Sequence, residues 1–269
     1  MKHIAVIGCG ARSVRLMELL AGTPGLSIKG GYDPIPERVG RLPHGSKAPV
    51  RYRSYEEAVG DDEVDWVVVG SPNAAHKEQI LAAFEAGKHV FAEKPLATTV
   101  EDSLAIYRRS LEVDSLFATG YTLRYATLYR RAKELIDKGT VGEIVAVDSN
   151  ENIPPSHGAY IMRNWRRHRN LAGPHILEKC VHDLDLINWF TDSLPDRVAA
   201  FGGNSVFVPQ HAGLYEHHPH EFNQWEELLP GNPFLTDKSI EDNVVAIMEY
   251  AGGVRAQFMA TMSNAIPER

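Results

Sequence analysis

Ile4-Ala5-Val6-Ile7-Gly8-Cys9-Gly10-Ala11-Arg12-Ser13 is the stretch whose reading decides the fold. A short run of β-branched and small apolar residues ends in a glycine-rich turn. From Ser13 to Ala21 apolar residues then recur at helical spacing. Strand, tight turn and helix in that order form the dinucleotide fingerprint. Gly8 permits the turn, and Gly10 lets a pyrophosphate approach the backbone of Cys9, Ala11 and Arg12 at the helix N-terminus. The third glycine position is Ser13, small enough for helix-strand packing. Asp33 closes the next strand 20 residues after Ser13, where a carboxylate accepts hydrogen bonds from a ribose. A carboxylate there repels a 2′-phosphate, so NAD is expected over NADP. Arg38, one helical turn on, keeps NADP possible; its plainer reading is a solvated residue.

Working outward, apolar runs at Ile4 to Ile7, Leu26 to Tyr32, Trp66 to Val69, His89 to Ala92 and Leu116 to Thr119 alternate with helical stretches. Such alternation predicts an α/β, doubly wound parallel sheet of Rossmann type over residues 1–120. Beyond Gly120 the pattern changes. Thr122 to Lys138 reads as a long helix, Val141 to Ser149 as a strand, and Asn150 to Pro174 as irregular. His175 to Phe190 reads as helix. Val198 to Val206, Asn243 to Tyr250 and Val254 to Met262 read as strands, the last two joined as a hairpin at Gly252-Gly253. A second domain over 121–269 is therefore expected, α+β with a mainly antiparallel sheet. The loop from Phe207 to Ser239 has little periodicity.

Composition narrows the function. Charged residues are 23% and apolar residues 43%, a globular mix, and no apolar run approaches membrane-spanning length. A net charge of −7 argues against nucleic acid or an anionic membrane as partner. Two cysteines make no disulfide framework, and Met1-Lys2-His3 leads straight into a strand, so a cytoplasmic protein is expected.

The assembled motifs resemble those of the oxidoreductases named for glucose-fructose oxidoreductase, inositol dehydrogenase and a rhizopine-catabolism protein. The segments that carry the resemblance are Ala5 to Gly10, Ser71-Pro72-Asn73-Ala74-Ala75-His76 and Ala86-Gly87-Lys88-His89-Val90-Phe91-Ala92-Glu93-Lys94-Pro95-Leu96. Further on come Gly120-Tyr121-Thr122-Leu123-Arg124-Tyr125 and Glu178-Lys179-Cys180-Val181-His182-Asp183-Leu184-Asp185. The resemblance implies a Rossmann domain followed by an α/β domain with a large open sheet that forms a homodimer or homotetramer interface. It implies hydride transfer between a nicotinamide cofactor and a secondary alcohol of a sugar, cyclitol or related polyol. It also implies further strands and a closing helix beyond the point where this chain stops.

By the same resemblance Lys94, Glu178 and His182 surround the substrate hydroxyl. Alcohol oxidation needs a base that is neutral near pH 7, and an imidazole supplies one. His182 is expected as general base in oxidation and general acid in reduction. The Lys94 ammonium is expected to stabilise developing alkoxide charge. Glu178, four residues before His182 and so expected on the same helix face, orients either partner. Ser71, Pro72 and Asn73 end a strand and are expected at the ribose and nicotinamide, beside Glu93 and Lys94. His76 either caps the following helix or touches the cofactor. Tyr121, Arg124, Trp165 and Arg166 are candidates for the sugar pocket. The basic run around Trp165 reads equally as a solvated face or as a site for an anion. The histidines of residues 211–221 resemble a metal site in composition only, since Pro219 interrupts their spacing, and no metal is expected.

Two other functions stay open. One is a glycosidase that oxidises its sugar transiently with a held NAD. The other is a non-catalytic regulator that binds nucleotide and sugar.

Overall fold

The computed structural model describes residues 1–44, 47–223 and 229–263. The alternation at the start of the chain closes into a six-stranded, wholly parallel sheet. Its elements are β1 (Lys2–Ile7), α1 (Ala11–Leu20), β2 (Leu26–Tyr32), β3 (Val50–Arg51), α2 (Tyr55–Val59), β4 (Trp66–Val69), α3 (His76–Glu85), β5 (His89–Ala92), α4 (Val100–Ser110) and β6 (Phe117–Thr119). The strand order is β3-β2-β1-β4-β5-β6, that of a doubly wound dinucleotide fold. The order reverses beside β1, and the crevice at that point is where such sheets take their ligands.

Burial explains the strand sequences. Side chains alternate across β1: Ala5 and Ile7 join Val67, Val69, Val90 and Ile80 on one face. Ile4 and Val6 join Met17, Val39, Leu42 and Val68 on the other. With both faces covered, the strands carry apolar residues without interruption. Helix starts are set by side chains: Ser54 accepts from Glu57 N at 3.2 Å, and Thr99 from Asp102 N at 3.1 Å. Lys88 is nearly buried because its ammonium serves the carbonyls of Asp61 and Val64, each at 2.8 Å.

The first compact unit ends at Gly120, and Tyr121 begins the second. The second unit comprises α5 (Thr127–Asp137), β7 (Ala146–Asn152), α6 (Pro155–Arg163), α7 (Arg169–Ala172), α8 (His175–Glu178), α9 (Val181–Thr191), β8 (Pro195–Gly203), α10 (Ala212–His217), β9 (Asn243–Tyr250) and β10 (Arg255–Thr261). Its sheet runs β7-β10-β9-β8; the β7–β10 pair is parallel and the other two are antiparallel. β9 and β10 alternate strictly. Val244, Ala246, Met248, Ala256, Phe258 and Ala260 point inward, while Val245, Ile247 and Met259 remain exposed.

Several expectations for this unit need correction. The long helix from Thr122 is a 3-10 turn, Thr122–Tyr125, followed by α5, because Ala126 is extended (φ −70°, ψ 135°). β7 begins at Ala146, later than the expected Val141, and β8 begins at Pro195, earlier than Val198. The stretch from Asn150 to Pro174 is largely ordered. Pro155 takes the first turn of α6, where its missing N–H costs nothing, and Ala159, Ile161 and Met162 bury the helix. Helix 175–190 is two helices, α8 and α9, separated at Lys179 and Cys180. Part of the loop from Phe207 to Ser239 and the chain end at Ile266-Pro267-Glu268-Arg269 lie outside the described residues.

Candidate active site

In the first unit the glycine-rich turn is built for close approach. Gly8 has φ +85°, and a Cβ there would lie 2.5 Å from the amide nitrogen of Ser71. Around Gly10 a Cβ would meet nothing within 4 Å, so its surface is open. No side chain caps α1, whose first amides at Ala11, Arg12 and Ser13 face outward from the helix end. These features fit a pyrophosphate on the helix N-terminus. Ser13 is buried, and a Cβ on the neighbouring Gly70 would lie 2.2 Å from its hydroxyl oxygen.

Asp33 is nearly buried at the end of β2 and ties two turns together. Its carboxylate accepts from Cys9 N and from Ile35 N, each at 2.9 Å. Arg38 stands 3.7 Å from the same carboxylate. The Cys9 thiol is buried, and desolvation pushes its pKa up to about 12, so it is no nucleophile.

The loops that leave β4 and β5 meet at the same sheet edge. Ser71 donates its hydroxyl to Gln79 Oε1 at 2.6 Å, and Asn73 is buried beyond Pro72. Glu93 is buried and accepts from Arg12 Nε at 2.9 Å, which ties the β5 loop to the glycine-rich turn. Lys94 follows it, half-buried, and the Lys94–Pro95 peptide bond is cis. His76 neither caps α3 nor presents a surface to a cofactor. Its ring is fully buried between the Pro95 and Ser71 carbonyls.

In the second unit Glu178 is buried and accepts from Arg166 Nε at 2.9 Å. The Arg166 guanidinium also donates to Tyr160 Oη at 3.2 Å and lies 4.5 Å from the Trp165 ring centre. Arg166 is thus committed to the carboxylate rather than solvated. The other arginines of the basic run are also engaged. Arg163 donates to the carbonyls of Ala159, Phe222 and Leu229, and Arg167 to those of Asp237, Arg163 and Asn164. Arg169 donates to Ser239 and Glu241.

His182 is half-buried and packs edge-to-face on Tyr121, ring centres 6.3 Å apart. Glu178 and His182 do not share one helix face as expected. Cys180, at ψ 0°, breaks the helical register between them, and its side chain is buried in the core under the second sheet. Arg124 makes two hydrogen bonds of 2.7 Å to Asp185 and lies 5.5 Å from the Trp189 ring. Arg124, Tyr125, Arg130, Lys133, Glu134 and Trp189 line a groove of about 590 Å³ that includes neither Glu178 nor His182.

Three ionisable groups here escaped the sequence reading. Burial lowers the pKa of His157 to about 4 and lowers that of His175, while desolvation lifts Asp183 to about 6. His157 lies in the stretch that read as irregular, so no pattern marked it. In the histidine-rich segment, His211 Nδ1 contacts the Val206 carbonyl at 2.9 Å, and among the described residues no three metal-ligating side chains converge.

With this geometry in hand, comparison with known proteins places the chain. Residues 2–121 match the model of an oxidoreductase family with an NAD-binding Rossmann fold, and residues 129–269 match the C-terminal domain model of the same GFO/IDH/MocA group. The chain belongs to the Gfo/Idh/MocA oxidoreductase family. A 1,5-anhydro-D-fructose reductase of Ensifer adhaerens is 32% identical over 76% of this chain and 53% of the relative. A 2,7-anhydro-N-acetylneuraminate hydratase of Escherichia coli is 27% identical over 76% of this chain and 53% of the relative. Among solved structures, myo-inositol 2-dehydrogenase from Lactobacillus plantarum superposes with a TM-score of 0.75, at 20% identity, over 97% of this chain and 70% of that one. That likeness shows the fold. The chain spans about half the length of the curated relatives it matches.

Proposed function

We propose that this chain carries the cofactor and catalytic residues of an NAD-dependent oxidoreductase acting on a secondary alcohol of a sugar, cyclitol or related polyol. The observation that carries the reading is the Gly8–Gly10 turn, braced by Asp33 on one side and tied to the Lys94 loop by the Arg12–Glu93 pair on the other. The amides of Ala11, Arg12 and Ser13 would hold the pyrophosphate, and Asp33 a ribose. Ser71, Pro72 and Asn73 would line the nicotinamide side. When bound, NAD would supply the acceptor for the carbinol hydrogen as hydride.

The remaining chemistry belongs to the chain. In oxidation the hydroxyl proton passes to His182, and in reduction it returns. Lys94 donates a hydrogen bond to the substrate oxygen and steadies its growing negative charge. Glu178, held by Arg166, fixes the rim of the sugar pocket together with Tyr160 and Trp165. Arg124 is placed at that pocket only through its neighbour Tyr121, since its guanidinium is taken by Asp185.

The outer face of the second sheet is proposed as the contact of a homodimer or homotetramer. Phe201, Val245, Ile247 and Met259 lie exposed on it, with Phe201 paired to Val245 and Val245 to Met259 across the strands. Two buried, unpaired cysteines fit a cytoplasmic setting.

The hydratase relative favours a second reading. In it, transient oxidation acidifies a neighbouring C–H, an oxygen substituent is eliminated, water adds to the resulting alkene, and the carbonyl is reduced again.

The test is a panel of sugars, cyclitols and chromogenic glycosides with NAD, following nicotinamide absorbance and aglycone release together. Net NADH supports the dehydrogenase; aglycone release without NADH supports the second reading. Lys94→Ala is expected to lower kcat about 10²- to 10³-fold; near-normal turnover would place the chemistry elsewhere.

A further inference from the structure

Beyond the β4–β5 ladder two carbonyls need donors. The last ladder bond is donated by Glu93 N to the Val69 carbonyl at 2.8 Å. Two residues on, proline has no N–H with which to continue the ladder. The His76 ring, at the start of α3, lies against both carbonyls. Its Nδ1 is 2.9 Å from the Pro95 carbonyl oxygen and its Nε2 is 3.0 Å from the Ser71 carbonyl oxygen. The ring is 0% exposed, so no water substitutes for it. A neutral imidazole carries one N–H, so the ring donates to one of these carbonyls and packs against the other, between the loops that leave two adjacent strands at the sheet's carboxyl edge.

Lys94 sits between two pinned neighbours. Glu93 is fixed through its N–H to Val69 and through its carboxylate to Arg12. Pro95 is fixed through its carbonyl to His76. We infer that His76 is a positioning residue for Lys94, holding the loop that presents the amine. The inference rests on the role given to Lys94 above. It requires the single proton of a neutral ring to lie on Nδ1, facing Pro95. Burial disfavours the charged ring, against the pull of both carbonyls and of Glu93. Displacing a catalytic group by an ångström costs on the order of 10²-fold in rate.

Side-chain length separates the two contacts. The amide of His76→Asn reaches the Nδ1 position and retains a donor toward Pro95. The longer His76→Gln reaches the Nε2 position and retains one toward Ser71, and His76→Leu retains neither. Three readouts apply to the full chain: kcat and KM for the best polyol of the panel, the NAD dissociation constant, and the rate at which a neutral acylating reagent modifies Lys94, followed by peptide mass spectrometry. His76→Asn is expected within about threefold of wild type in all three. His76→Gln and His76→Leu are expected to lose about 10- to 100-fold in kcat, with NAD affinity and polyol KM within about threefold and with altered Lys94 modification. Equal behaviour of the Asn and Gln variants, or losses that only track the folded fraction, overturns the inference.

A measurement on the wild type needs no variant to fold. The ¹⁵N shifts of His76 are expected to show a protonated Nδ1 and a bare Nε2. A bare Nδ1 overturns the proposal. If Lys94→Ala keeps its turnover, the catalytic reading fails, while the Lys94 modification rates and the His76 shifts still decide whether the histidine sets that loop.

Discussion

The two sheets treat their faces differently. In the first, every β1 residue from Ile4 to Ile7 is buried, alternately in one apolar cluster and the other. In the second, β9 buries Val244, Ala246 and Met248 and leaves Val245 and Ile247 in water. The first sheet is finished by its own helices. The second shows a row of apolar residues that its own unit does not cover, which is the more informative observation, since isolated exposed apolar residues are ordinary and a contiguous row is not.

The largest expected effect tests that contrast directly. Val68→Asp places a carboxylate inside the closed sheet, and denaturant unfolding should show a loss of more than about 4 kcal/mol. Val245→Asp, on the open face, should change the stability of the dilute monomer by less than about 0.5 kcal/mol. It should also reduce the mass measured by light scattering at high concentration if a second copy covers that face. Similar losses of monomer stability from both changes would break the contrast.

Buried histidines sharpen it further. His76 is closed in by two carbonyls, whereas His157 lies half-buried in the second unit with its pKa lowered from 6.5 to about 4. Since the unfolded chain takes up that proton first, the stability present above pH 6.5 is lost as pH falls and is gone below pH 4. Asp183, raised from 3.8 to about 6, works in the opposite direction, because its folded form ionises later than its unfolded form as pH rises. The wild-type curve alone therefore mixes the two. The difference between wild type and His157→Gln isolates the histidine, and it should change by up to about 3 kcal/mol between pH 7 and 4. A flat difference would mean the ring is solvated.

The smallest loss of function lies at the rim of the first sheet. Asp33→Ala removes the acceptor of Cys9 N and Ile35 N, which is also the carboxylate proposed for the ribose. NAD affinity should fall about tenfold, or 1.4 kcal/mol, and discrimination against NADP should weaken, both read by fluorescence titration. Unchanged preference would move the ribose away from Asp33.

The same contrast explains what could be read in the sequence. Strands buried on both sides announce themselves as unbroken apolar runs, so the first sheet and its turn were legible. In the second unit the alternating strands β9 and β10 were legible almost to the residue, whereas α5, β7 and β8 were legible in kind but not in extent. α6 was hidden because Pro155 and Gly158 resemble loop residues, although proline suits a first helical turn. The break at Cys180 was hidden because apolar spacing continues across it. Charge was the least legible feature. Arg163 and Lys88 look like surface cations, yet both bury their heads on backbone carbonyls, a role set by loops far away in sequence.

Ser13 carries a last consequence. The serine that replaces a glycine in the fingerprint fits because the adjoining residue at the end of β4 is Gly70, with no side chain to oppose it. The departure from the motif is therefore one half of an exchange between two segments 57 positions apart. Gly70→Ala should be harmful alone and tolerated with Ser13→Gly, a coupling that a double-mutant cycle would expose. In this chain the third letter of the glycine motif is better read as a pair of positions, Ser13 and Gly70, than as a single residue.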